Sequence, residues 1–488
     1  MASTISRQSS VSFVAVAIVA LTLVRLSAAA FVPISPDETY YFDWSRFPSW
    51  GYYDHPPMVA WWIWIGTHLV GNSVVAIRLL TVLSALPASW FTYVTGRALF
   101  DSPTGALATL WVNATLLVGV GGFIATPDAP SLLFWTLAVM AFALVIRSNN
   151  GAWWLLVGLA VGLGIQSKLT NLFLPLGLLL TLVVDRDHRR WLTSPWTWAG
   201  VVVALVTVAP LVAWNAAHDW ATLNQFARLD AGSFTPLKLP EFIATQFGLL
   251  NPLVAIFAGL GVIAWIAGRA SYPRSGIALL TWTAAPLVVY MAYHALHQQV
   301  QGNWLAPVYP TAALLAAAAA TAAPERWAPL RAFAFPLGAA LTVIGLILTA
   351  DPGGILPSEI DAGRQLRGWD DVAVKVDALR KQAGAAWIAA DGYYAAAELG
   401  WHLRDSAAPV FPLGDPTRYV YRPRPDAALA AEPGLVLAPA DVLARCFPGA
   451  TSLGEITRTS GGVTLDAFPA FAVKSGPASA DPACALVR

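Results

Sequence analysis

Charge is scarce in this chain. Of 488 residues only 12% are Asp, Glu, Lys or Arg, and 29 basic against 28 acidic side chains leave a formal net charge of +1. The basic residues form no tract, so the concentrated cationic surface that a nucleic-acid backbone demands is missing, and no nucleic-acid partner is expected. Cysteine is nearly absent as well. Cys446 and Cys484 are the two present, and neither stands in a CxxC or Cys/His pattern, which argues against a thiolate metal centre. A P-loop and other glycine-rich nucleotide motifs are also lacking, so no nucleotide cofactor is expected.

Apolar surface is what the chain has in excess. Hydrophobic residues make up 57%, and the mean hydropathy of +0.59 lies above that of ordinary soluble domains. Apolar runs of roughly 15 to 25 residues recur from Val11 to Ala350, separated by short polar or Pro/Gly-rich breaks. They predict a polytopic α-helical membrane protein with about eleven transmembrane helices, over residues 11–31, 72–96, 104–121, 128–147, 152–166, 168–184, 199–216, 245–268, 276–296, 304–322 and 331–350. Many of the 22 Trp residues lie near the ends of these runs, where their amphipathic rings suit the headgroup layer.

Lys and Arg set the orientation, because positively charged short loops stay in the cytoplasm. If the spans alternate, Arg7, Arg97, Arg147, the segment Asp185–Arg190, the pair Arg269 and Arg274, and the segment Glu325–Arg331 fall on one side. The opposite, periplasmic side then receives the loop 32–71, the Thr126-Pro127-Asp128 turn, the Ser167-Lys168 junction, the loop 217–244, the segment His297–Asn303 and the C-terminal tail. Ser27-Ala28-Ala29-Ala30 after a basic start imitates a signal-peptide cleavage site. Retention as a span is preferred, since it anchors the loop that follows.

After Asp351 charged residues, Pro and Gly return, and no spanning run follows. Residues 351–488 read as a separate extracytoplasmic domain behind a transmembrane domain of residues 1–350. Alternating stretches at Ala386–Ala390 and Gly434–Ala438, beside a helical one at Val372–Gln382, suggest a small α/β fold. Both cysteines belong to this domain; a disulfide is plausible in an exported compartment, and two buried free thiols are the alternative.

Candidate chemistry collects on the periplasmic side. The loop 32–71 opens with Ile34-Ser35-Pro36-Asp37-Glu38-Thr39-Tyr40-Tyr41, two adjacent carboxylates near a membrane boundary. Such groups are costly there unless solvated or used, and a partly buried one is suited to general-base work. Farther on, Gly51-Tyr52-Tyr53-Asp54-His55-Pro56-Pro57 sets a carboxylate beside an imidazole, a pair that binds a divalent cation or a phosphate, or simply forms a pre-proline turn. Asp128 opens a span and reads either as a helix-start residue or as a carboxylate for a metal or an acceptor hydroxyl. Lys168 is a phosphate partner or a snorkelling side chain. Arg78, inside an apolar run, is a further anion-binding candidate. Polar residues beside aromatics at Gln225 and Arg228 and at Gln301-Gly302-Asn303-Trp304 suit sugar binding, as interfacial loops also do.

The order of these motifs, together with Trp214-Asn215 and His218-Asp219-Trp220, resembles the bacterial protein O-mannosyltransferase-like glycosyltransferases, which include the lipid A aminoarabinose transferases. Asp391-Gly392-Tyr393-Tyr394 through Leu399 resembles a segment of their exported domain. The resemblance implies a C-type glycosyltransferase fold and transfer, with inversion, of a sugar from a polyprenyl-phosphate donor to an extracytoplasmic glycolipid, polysaccharide or protein. By match, Asp37 is the catalytic carboxylate and Glu38 its neighbour. His55, Lys168 and Arg78 are candidates for the carrier phosphate, and Asp128, Tyr53, Gln225, Arg228, Gln301 and Asn303 for sugar or acceptor. Asp54 stands where the family has a carboxylate associated with a divalent metal ion. His55 departs from the aminoarabinose transferases, which carry a Lys there.

Two other classes compete. A transporter or flippase of lipid-linked sugars would be expected to show paired repeats with charges at mid-membrane depth, whereas the acidic groups gather in outer loops. A non-catalytic binder of the lipid carrier would tolerate loss of Asp37.

Overall fold

The computed structural model describes residues 2–229, 232–269, 274–350, 361–406, 408–414, 416–423, 426–477, 481 and 484–486, with side chains beginning at residue 12 and omitting 226–229 and 362. The chain divides into two compact units. One comprises the residues up to Ala30, His55–Val59 and Arg78–Leu346; the other comprises Phe31–Asp54, Ala60–Ile77 and the chain from Ile347 onward.

The first unit is helical. Across the described chain, Ser12–Phe31, Val74–Leu99, Asp128–Ser148, Pro195–Ala217, Arg274–His294, Gly302–Ala322 and Glu325–Ala350 are each long and apolar enough to cross a bilayer. Three further apolar segments are bent pairs, and Trp153–Ser167 is a shorter apolar helix. Each of the eleven predicted runs is thus helical, but fewer are straight spans.

The breaks have local causes. Asn251 adopts a positive φ of 76° and its Oδ1 accepts from Leu253 N at 3.1 Å, while Pro252 starts the next helix. Proline cannot continue the preceding helix, and the two helices meet at 110°. At Asp185 the side chain caps a 3-10 segment, and the chain turns by 120°. Thr115 caps Leu116–Val120, giving a 64° bend after Ser102–Asn113.

Leu, Val, Ala and Trp side chains from Ala108 to Ala334 form one continuous core in this unit. Gly158 and Gly200 permit a close helix approach: a Cβ on either would collide with backbone of the facing helix. Several buried polar groups are paired across helices, as a hydrocarbon surrounding favours. Arg25 donates to Asn113 Oδ1 at 2.9 Å, and Asn251 Nδ2 donates to the Ala334 carbonyl at 2.7 Å.

The second unit holds a five-stranded sheet. Strands β1 (Trp387–Asp391), β2 (Val410–Leu413), β3 (Gly434–Leu437), β4 (Thr451–Ser460) and β5 (Val463–Val473) lie in the order β2-β1-β3-β5-β4. The first three are parallel; β5 runs antiparallel to β3 and to β4. Gly461 and Gly462, with φ of 57° and 80°, make the tight β4–β5 turn that right-twisted strands favour. Alternation along the parallel strands fills two cores. Ile388, Ala390, Leu435 and Leu437 pack on one face with Trp369, Val372 and Val376. Trp387, Ala389, Phe411 and Val436 pack on the other with Leu443 and the disulfide-bonded Cys446 and Cys484.

Candidate active site

In the second unit the acidic loop is a helix, Pro36–Ser45. Ser35 and Glu38 form a capping box: Glu38 N is bonded to Ser35 Oγ at 3.3 Å, and Ser35 N donates back to Glu38 Oε2 at 3.0 Å. Proline at the first helical position and two acids in the first turn complete a well-specified start. The two acids part company here. Glu38 is fully buried and spent on the cap, whereas Asp37, one residue earlier, is exposed. A buried acid that organises the helix thus supports an exposed one that can meet a substrate.

The remaining acids of the loop are clamped by the segment 416–422. Asp43 is bonded by Arg422 Nη2 and by Arg422 Nε at 2.8 Å, and accepts from Tyr421 OH at 2.6 Å. Asp54 Oδ2 accepts from Arg418 Nη1 at 2.6 Å and from Tyr40 OH at 2.9 Å. The Arg418 guanidinium stands 5.9, 4.9 and 4.7 Å from the ring centres of Tyr40, Tyr53 and Tyr393. Burial works against its charge, yet Tyr40 and Asp54 hold its pKa above the ordinary arginine value. Burial raises the Tyr393 phenol, and the charges of Asp37 and Asp54 raise it further.

Arg418, Arg422, Tyr421 and Tyr393 were not singled out from the sequence as site residues. The alternation Arg418-Tyr419-Val420-Tyr421-Arg422 was the available signal, but its partners lie hundreds of residues upstream.

On the helix Tyr393–His402, Glu398 is fully buried, with Oε2 at 3.3 Å from His402 Nε2; His402 Nδ1 is 2.8 Å from Asp370 Oδ1. Burial lifts Glu398 to about 7, with His402 pulling the other way.

In the first unit Lys168 Nζ donates to Asp128 Oδ1 at 2.6 Å, and Asn303 Nδ2 donates to Asp128 Oδ2 at 2.7 Å. Thr126 Oγ1 lies 3.3 Å from the same Oδ2. Lys168 leaves the helix Trp153–Ser167 with extended backbone, φ −157° and ψ 137°, and is nearly buried. Burial, then the Lys168 ammonium, lower the His55 imidazole to about 3, with Asp128 opposing, so His55 is neutral near pH 7. A cavity of about 260 Å³ with a mostly apolar wall includes Asp128, Asn303, Thr126 and Asn113 in its lining.

The remaining candidates lie elsewhere. Arg78 is buried, donating to the Ala29 carbonyl at 3.2 Å with its guanidinium 5.2 Å from the Phe123 ring centre, an engagement with helix packing. Gln225 sits partly exposed on the short helix Ala221–Leu229, and Arg228 falls outside the residues with described side chains. Gln301 is exposed at the start of Gly302–Val308.

The donors for a divalent ion at Asp54 do not fit. One carboxylate oxygen takes Arg418 and Tyr40, and among the described residues no three His, Cys, Asp or Glu side chains are arranged to hold a metal ion.

A family model described as dolichyl-phosphate-mannose-protein mannosyltransferase matches residues 54–214. The lipid A galacturonosyltransferase of Rhizobium johnstonii is 27% identical over 401 residues, covering 78% of this chain and 81% of that protein. The undecaprenyl phosphate-aminoarabinose arabinosyl transferase 1 of Sodalis glossinidius is 28% identical over 364 residues, covering 66% of this chain and 61% of that one. Among solved structures, ArnT from Cupriavidus metallidurans bound to undecaprenyl phosphate aligns with a TM-score of 0.65 at 17% identity, over 94% of this chain and 97% of that one. Fold and sequence together define a multi-pass bacterial membrane protein with the C-type glycosyltransferase fold. More particularly, the chain is similar in sequence and in fold to the aminoarabinose-transferase-like membrane glycosyltransferases.

Proposed function

We propose that this protein transfers a sugar from a polyprenyl-phosphate donor to a glycolipid of the cell envelope on the periplasmic side of the inner membrane. The observation that carries the reading is Lys168, a nearly buried cation bonded to Asp128 of an apolar cavity. A buried ammonium with a carboxylate partner and apolar surroundings matches the two halves of a prenyl phosphate, one anionic and one hydrocarbon. Residues 1–350 serve as the transferase body and 351–488 as the exported domain. The Cys446–Cys484 disulfide suits the oxidising side of the membrane, and the loop charges give the same orientation.

In the reaction, Lys168 holds the donor phosphate with its remaining N–H groups, and neutral His55 contributes a hydrogen bond rather than a charge. Asp37 accepts the acceptor hydroxyl's proton as that oxygen bonds to the anomeric carbon with inversion. The carbon–oxygen bond to phosphate breaks, and its electron pair leaves with the polyprenyl phosphate. Aromatic side chains and Asn303 suit the sugar. No step passes through a metal at Asp54.

The test is release of labelled sugar from a panel of polyprenyl-phosphate sugars, with lipid A and its precursors as acceptors, by wild type and Asp37→Asn. Turnover by wild type and its loss in a folded variant are expected. Binding of the carrier lipid by both, with turnover by neither, would replace the reading with that of a non-catalytic carrier-binding protein.

A further inference from the structure

The family resemblance assigns a divalent cation to the place of Asp54, and this chain puts a guanidinium there. Resting on the transferase reading, we propose that Arg418 takes the place of that cation: it is a positioning residue that neutralises Asp54 and fixes the acidic loop, so that sugar transfer needs no divalent metal.

Three observations support the substitution. The first is geometry: Arg418 Nη1 stands 2.6 Å from Asp54 Oδ2, within the range of a charge-assisted hydrogen bond, and Tyr40 OH shares the same oxygen at 2.9 Å. A metal ion would have to displace the guanidinium and recruit further ligands, yet among the described residues no three acidic, His or Cys side chains are arranged to hold one. The second is the surroundings. The faces of Tyr53 and Tyr393, at 4.9 and 4.7 Å, favour a planar, weakly hydrated guanidinium over a strongly hydrated divalent ion. The third is the neighbouring pair: Arg422 grips Asp43 from the same short segment. Two arginines four residues apart thus engage two loop carboxylates, one inside the helix that closes at Ser45 and one beyond it. Arg418 acts through Asp54 and contacts no reacting atom in this assignment.

The test uses the full-length protein in detergent, stripped of metal with EDTA, as wild type, Arg418→Ala, Arg418→Lys, Asp54→Asn and the Arg418→Ala/Asp54→Asn double variant. Thermal unfolding and size-exclusion profiles establish that each is folded. Mn²⁺ binding, followed by loss of the free-ion EPR signal, is measured independently of catalysis, so it remains decisive even if no donor is turned over. We expect no Asp54-dependent Mn²⁺ site in wild type, Arg418→Lys or Arg418→Ala, and no difference between Arg418→Ala and the double variant, because the further ligands a metal needs do not stand beside Asp54 among the described residues. For transfer, EDTA should leave wild-type turnover unchanged, and Arg418→Ala should lower it about 10- to 100-fold, the range seen when a group orienting a site is removed. Arg418→Lys should recover part of that loss, and Mn²⁺ added to Arg418→Ala should not. An Asp54-dependent Mn²⁺ site in the wild type, or wild-type turnover lost to EDTA and restored by Mn²⁺, overturns the proposal. Absence of turnover by wild type with every donor would instead count against the transferase reading.

Discussion

Lys168 reaches Asp128 across 2.6 Å, from a position 40 residues later in the chain, and Asn303 holds the other oxygen of the same carboxylate. The bonds divide the work: Asp128 is held in one orientation, while the ammonium keeps N–H groups to spare. Lys168→Met should weaken binding of undecaprenyl phosphate by about 10- to 100-fold, the equivalent of one lost charge-assisted contact. Asp128→Asn should cost less, because an amide can still accept from Lys168. Titration of the lipid phosphate into both variants and the double variant checks this; strictly additive losses would mean that the two residues do not act as a unit.

Asp37 and Glu38 are adjacent but unlike. Asp37→Asn removes an exposed carboxylate and should leave thermal stability unchanged, with turnover down by about 10²- to 10⁴-fold, the usual scale for a general base. Glu38→Ala deletes the return bond of the capping box and should lower stability by about 1 kcal/mol. Melting curves and single-turnover rates of the two variants separate these roles. Equal destabilisation with equal residual activity would assign both acids to structure.

The eleven apolar runs were legible because hydrocarbon imposes length and composition on each span. The bends at Thr115, Asp185 and Asn251 were not, since they arise from caps and one positive φ that periodicity does not report. The loop acids were legible as candidates from their setting, and Asp128 with Lys168 from lying on one predicted face. What remained hidden was the use of each. Ser35-Pro36-Asp37-Glu38 carries a capping-box pattern, from which the structural task of Glu38 was available to a closer reading. Arg418 and Arg422 were not legible in this sense: an arginine in a soluble domain is ordinarily a solvated charge, and the bond to Asp54 spans 364 residues of chain. Arg78 was legible as an unusual intramembrane cation, but its bond to a buried carbonyl and its approach to an aromatic face were not, because both partners lie on other helices.

The disulfide between Cys446 and Cys484 closes a 38-residue separation around one face of the sheet. Loop-closure entropy makes such a link worth about 3–4 kcal/mol. Cys446→Ser should lower the unfolding midpoint of the C-terminal domain, dithiothreitol should lower the wild type's to match, and the variant should not respond to the reductant. Insensitivity of the wild type would mean that the bridge contributes nothing to stability.

Glu398 supplies a pH dependence of stability whose sign can be worked out. In the native protein burial raises its pKa to about 7, while in the unfolded chain it titrates near 4.5. Between those values the native state keeps a proton that the unfolded state has released, so the unfolded state binds fewer protons and stability falls as pH rises. The contribution is fully present below pH 4.5, is lost as pH climbs towards 7, and amounts to about 3 kcal/mol over the window, from 1.36 kcal/mol per unit. Glu398→Gln mimics the protonated acid at every pH. The difference in stability between wild type and Glu398→Gln should therefore widen against the wild type from pH 5 to 7 and then level off, as read from denaturant unfolding of the full-length protein at several pH values. If that difference did not change with pH, the proton would not be on Glu398, and His402, one turn along the same helix and itself paired with Asp370, would have to hold Glu398 as a carboxylate instead.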